Sequence, residues 1–121
     1  MADTILINLT TGLEDPERVT VAFLVASAAT AKGKRVAMFV TKEAVRLALP
    51  GHARAVACQG CPPLDRLFEQ FADGGGELLV CPICWNSRQL DEANLVANAT
   101  LAGATQMLEW KGEDAATVFS Y

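Results

Sequence analysis

At 121 residues with a formal net charge of −4, the chain is sized for one domain around a single core. Its ten Lys and Arg are scattered, so the concentrated basic footprint of a nucleic-acid binder is missing. Hydrophobic residues make up 51% and aromatics only 7%, a balance that suits an aliphatic core of helices on a sheet better than an all-β sandwich.

The opening MADTILINLTTG has neither a basic n-region nor a small-residue cleavage site, so no secretory signal is read there. The longest apolar stretch, VAFLVASAATA, is too short and too rich in alanine to span a bilayer. A cytoplasmic chain is expected, with its cysteines as reduced thiols and not as disulfides.

TILINL, residues 4–9, is almost continuously apolar, as in a strand buried on both faces of a parallel sheet. Thr10, Thr11 and Gly12 follow, and then Asp15-Pro16, where Asp15 is expected to cap a helix whose first residue is Pro16. That helix should run to about Lys32 and stop at Gly33. The TTGLEDPER loop could hold an anion at the helix start, but it lacks a GxGxxG pattern or a P-loop lysine.

RVAMFVT predicts the second strand, and Thr41 is expected to cap a short helix ended by Pro50-Gly51. His52, the single histidine, reads as an exposed turn residue, and the alternation in ARAVAC suggests a short strand. After Pro62-Pro63, the residues Leu64, Leu67, Phe68 and Phe71 form one apolar helical stripe. Gly74-Gly75-Gly76 breaks that helix, ELLVC is another buried strand, and Pro82 opens a short helix.

NSRQLDEAN reads as loop, NLVANATL as a strand, ATQMLEWK as a helix, GEDAA as a solvated turn and TVFSY as a closing strand. Met38, Met107 and Trp110 are expected to fill the core or an interface. Alternating strands and helices predict a three-layer α/β sandwich, flavodoxin-like, with a mainly parallel sheet of about five strands.

All four cysteines fall within residues 58–84, as two C-x-x-C pairs. Two such pairs about 15–20 residues apart read, on spacing, as a zinc site. A zinc ribbon, however, sets each pair in a tight hairpin, whereas these are separated by an amphipathic helix, a glycine turn and a buried strand with their own core role. No metal is therefore needed to organise the fold, and neither metal nor cofactor is expected.

Cys81 ends a strand at the edge where open α/β sheets take their ligands. At the cap of a helix beginning at Pro82 it would be favoured as thiolate, the form that attacks sulfur. Cys84, one turn on, could resolve an oxidised or persulfidated Cys81, and Arg88 could add positive charge. The competing reading makes Cys81 and Cys84 small buried hydrophobes. Cys58 and Cys61 lie on a loop, either incidental or as binding partners across the cleft.

In order and spacing the sequence resembles the DsrE/DsrF-like family over nearly its whole length. The matching stretches are the first strand with DPER and its helix, KEAVRLAL, CPPLDRLFEQF, GGELLVCPICWNSR and the closing ATVFSY. The resemblance implies a small α/β domain assembling as a homo-oligomer or hetero-oligomer, often a trimer or hexamer, and a sulfur relay between donor and acceptor proteins. It implies that Cys81 carries sulfur as a persulfide and that Cys84 matches a second cysteine of some members. Where the family often has Arg-Gly, this chain has Arg88-Gln89. The residues leave two other functions open, a C-x-x-C dithiol oxidoreductase and a non-catalytic metal-binding or interaction module. They also leave open whether the chain is a sulfurtransferase in its own right.

Overall fold

The computed structural model describes residues 4–113 and 115–121. Strand β1 (Thr4–Leu9) leads into helix α1 (Pro16–Ala31), whose cap is the expected one: the Asp15 carboxylate accepts the Arg18 backbone N–H at 3.2 Å. Then follow β2 (Arg35–Val40), α2 (Leu64–Asp73), β3 (Glu77–Val80), α3 (Pro82–Ser87), β4 (Ala99–Leu101), α4 (Ala104–Lys111) and β5 (Ala116–Ser120). Of the expected GEDAA turn, Asp114 lies outside the described residues.

The five strands lie in the order β4-β3-β2-β1-β5 and every pairing is parallel. The chain steps outward from β1 to β4 and then crosses back, so β5 lands on the far side of β1. Odd and even positions of each strand face opposite layers. Ile7, Leu9, Val36, Met38, Val40, Leu78 and Val80 face the larger core with Phe23 and Phe71. Within it the Phe23 ring stacks on Phe68 at 5.4 Å and meets the edge of Phe71 at 5.7 Å, which locks α1 to α2. The helical stripe is thus the core face it was expected to be.

The opposite face is thinner. Leu6, Ala37, Leu79 and Ala102 form a small cluster with Phe39, Met107 and Trp110 packed on it. Trp110 is tied down at both ends, its Nε1 donating to Glu77 Oε2 at 2.6 Å while the Arg35 guanidinium lies 3.9 Å over its ring.

Several local expectations are corrected. The helix after Thr41 is a 3₁₀ segment, Lys42–Ala48, and Thr41 is extended with no side-chain cap. ARAVAC is not a strand: His52–Ala55 makes a 3₁₀ turn, because Gly51 at φ +83° reverses the chain before it can join a sheet. His52 is half-buried there. The strand read in NLVANATL shrinks to Ala99–Leu101, and NSRQLDEAN contains the end of α3 and a 3₁₀ turn, Glu92–Asn94.

Candidate functional site

Three segments leave the sheet side by side at its carboxyl edge: the loop after β1, the 3₁₀ segment after β2 and α3 after β3. Cys81 sits just past β3. Its N–H donates to the Val40 carbonyl at 3.1 Å, extending the ladder by one residue, and its own carbonyl accepts the Trp85 N–H at 3.0 Å. The residue therefore ends the strand and caps α3, with φ −61° and ψ 116°. Pro82 suits the first helical position, where its missing N–H is no loss. What fixes α3 is Trp85, whose indole is fully buried in the larger core, with its Nε1 unpartnered.

Cys81 and Cys84 both carry free sulfurs, half-buried and packed against the rim of that core. Between them Ile83 is 79% exposed, the most exposed of the large apolar side chains. Neither cysteine is sealed in hydrocarbon.

Cys58 and Cys61 correct the expectation of reduced thiols throughout, for they are joined as a disulfide with their Cα atoms 5.3 Å apart. The turn they flank brings the two sulfurs within bonding reach. They do not gather with Cys81 and Cys84. Among the described residues no group of three or more His, Cys, Asp and Glu side chains is arranged to hold a metal ion.

Arg88 does turn back toward α3, but to its backbone. Its Nη1 donates to the Cys84 carbonyl at 3.1 Å, and its Nε donates to Glu43 Oε2 at 2.5 Å. Glu43 accepts a second guanidinium through Oε1, from Arg46 Nε at 3.1 Å. The hydrogen bond from Arg88 holds the Glu43 carboxyl below its ordinary value, outweighing a desolvation that pushes the other way, and Arg46 helps. Reciprocally, the Glu43 hydrogen bond raises Arg88.

Glu43 escaped the sequence reading because its partner is 45 positions away. The local pattern in KEAVRLAL exposes only the Arg46 contact. Gly12 is the third member of this arrangement, since a Cβ there would stand 2.6 Å from the Glu43 carbonyl oxygen. The loop it belongs to is no anion cradle: the Gly12 N–H is already taken by Glu14 Oε1 at 2.7 Å.

Backbone strain gathers at the same place. Among the described residues, the non-glycine residues with positive φ are Lys42, at +54°, and Gln89, at +56°, next to Glu43 and Arg88 respectively. Such conformations persist where their surroundings over-determine them. Gln89 thus holds, without a glycine, the left-handed conformation that glycine adopts most readily. Gln89→Gly is expected to stabilise the fold by up to about 1 kcal/mol in urea denaturation, since the left-handed penalty of an L-residue is removed.

The ion pair makes a pH prediction. A carboxylate whose folded pKa lies below its unfolded value of 4.5 adds stability above that value and loses it as the pH falls through the folded pKa. The stability gap between the wild-type chain and Arg88→Ala should therefore narrow below about pH 4.5, measured by urea midpoints from neutral to acid pH. A gap that stays constant across that range would mean the pair contributes nothing.

The comparisons with known proteins agree with this architecture. The YchN protein of Escherichia coli has a crystal structure that superposes with a TM-score of 0.78 over 100% of both chains, at 13% identity. MTH1491 of Methanobacterium thermoautotrophicum, a protein of unknown function, gives 0.67 at 12% identity over 96% of this chain and 98% of that one. At such identities the likeness is one of fold. MJ0760, an uncharacterised protein of Methanocaldococcus jannaschii, is 27% identical over 108 residues, 89% of this chain. This chain spans only 39% of that relative's length. The model of the DsrE/DsrF-like family matches residues 3–119, nearly the full length, and the chain belongs to that family.

Proposed function

We propose that the chain is a sulfur-relay protein in which Cys81 accepts sulfane sulfur as a persulfide and hands it to a partner. The observation that carries this reading is the contrast among the cysteines: Cys58 and Cys61 are bonded to each other, whereas Cys81 and Cys84 are free, half-exposed residues at the carboxyl edge of the sheet. Family membership supports the class of chemistry.

In the forward step the Cys81 thiolate attacks the terminal sulfur of a donor persulfide, R–S–SH. The donor S–S bond breaks, its electron pair leaves on the donor thiolate, and Cys81 becomes Cys81–S–SH. Transfer onward repeats this attack from an acceptor thiolate and restores Cys81. Cys84 gives the persulfide a second fate. Its thiolate can attack the inner Cys81 sulfur, expelling hydrosulfide and closing a Cys81–Cys84 disulfide.

The exposed Ile83, between the two sulfurs, suits contact with a donor or acceptor protein. Self-association is part of the proposal. Edge strand β5 has unpaired backbone on its outer side and shows apolar surface on both faces, at Val118 and Phe119. No described helix is long and apolar enough to cross a membrane.

Incubation with a low-molecular-weight persulfide, followed by intact-mass measurement, is expected to reveal a gain of one sulfur atom. That gain should vanish in Cys81→Ser and outlive the wild-type adduct in Cys84→Ser. An adduct that forms equally in Cys81→Ser would sink the proposal.

A further inference from the structure

The Cys58–Cys61 pair has the features of a working disulfide and not of a staple. The loop carrying it is held at both ends without the cross-link, by buried Val56 on one side and buried Leu64 on the other. Within the loop, the Cys61 N–H donates to the Cys58 carbonyl at 3.1 Å, and Gly60 sits at φ +79°. Those are the marks of a type II turn, with glycine at the position that needs positive φ. This turn keeps the sulfurs adjacent whether or not they are bonded. A cross-link around only two intervening residues also removes little chain entropy, so opening it forfeits little of the fold.

Access and leaving-group surroundings are built in. Both cysteines are half-exposed and line a recess of about 220 Å³ together with Arg54, Pro63 and Leu64. On the protein side, Thr20 Oγ1 stands 3.8 Å from the Cys58 sulfur. The Thr20 proton is given to the Pro16 carbonyl at 2.7 Å, which leaves Oγ1 as an acceptor for a Cys58 S–H. Cys58 is thus backed by α1, which suits it as the leaving group.

We propose that Cys58–Cys61 is a reversible thiol–disulfide exchange centre, distinct from Cys81, that takes two electrons from a dithiol reductant. The reductant's thiolate attacks the Cys61 sulfur, the Cys58–Cys61 bond breaks, and Cys58 leaves with the electron pair, takes up a proton and donates its S–H to Thr20. The reductant's second thiol then attacks its own sulfur in the mixed disulfide and releases Cys61. Two electrons and two protons have passed to the protein, and the reductant departs as a disulfide.

The test uses the full chain as Cys81→Ser/Cys84→Ser, in which only this pair can react. Folded protein is equilibrated with mixtures of reduced and oxidised dithiothreitol, trapped with iodoacetamide and weighed. The expected result is a single reversible transition from no added alkyl group to two, with the circular dichroism spectrum unchanged across it. Gly60→Val should slow re-closure of the disulfide about tenfold by disfavouring the turn. A pair that alkylates only when the chain is unfolded, that fails to re-form, or whose reduction unfolds the protein would overturn the proposal. So would re-closure at an unchanged rate in Gly60→Val, because the turn would then not be what holds the sulfurs together.

Discussion

Trp85→Ala is expected to lower the stability of the fold by about 3–5 kcal/mol, the range for removing a large aromatic side chain from a packed core. Trp85 is the largest of the fully buried side chains, at 0% exposure. It is also what holds α3, a helix of six residues that is too short to be stable without tertiary contacts. Its loss should reach the candidate site, because Cys81 caps that helix and Cys84 lies on it. Urea denaturation measures the effect, and alkylation of Cys81 in the folded state should accelerate as α3 loosens. Trp85→Phe should be milder, since the phenyl ring keeps much of the volume and removes the unpartnered Nε1. A loss below about 1 kcal/mol in the alanine variant would contradict the packing described.

Gly12→Ala is the second large effect. The new methyl carbon would stand 2.6 Å from the Glu43 carbonyl oxygen and 2.8 Å from its carbon, both backbone atoms that cannot swing aside. Over-packing of this kind destabilises by about 1–3 kcal/mol. The displaced segment carries Glu43, so Arg88 should lose its anchor as well. The variant is therefore expected to show both a lower urea midpoint at neutral pH and a flatter acid limb than the wild-type chain. A lowered midpoint with an intact acid limb would mean that the strain is absorbed in the loop after β1 and never reaches Glu43.

The elements that were legible in the sequence are those whose signals are local. Asp15-Pro16 marks a helix start by its own chemistry, and the Leu64, Leu67, Phe71 stripe reports which face will be covered, whatever covers it. TILINL, RVAMFV and ELLV are mostly apolar because helices lie on both sides of the sheet, and that too is visible residue by residue. ARAVAC misled because alternation over a few alanine-rich residues is compatible with a turn, and Gly51 decided the matter. In NLVANATL only three residues find a partner strand, since pairing with β3 begins at Ala99.

Of the candidate site, only the placement of one cysteine was legible. Cys81 could be found because a strand end and a proline frame it. The Arg88–Glu43–Gly12 arrangement could not, because it joins three loops that only the sheet order brings together. The disulfide ran against the compartment inference, which weighs the surroundings of the chain and not the geometry of a four-residue turn.

The strand order has one further consequence, which concerns how the molecule is made. β1 is flanked by β2 and by β5, and the Asn8 side chain reaches Ser120 across 112 positions of sequence. Within this sheet β1 is synthesised before β5, so it is left with an open flank until β5 arrives. Ends so distant must be closed against a high loop entropy before their pairing rewards it. Until then the nascent chain exposes the edge of Thr4–Leu9, a largely apolar strand, to whatever else could pair with it.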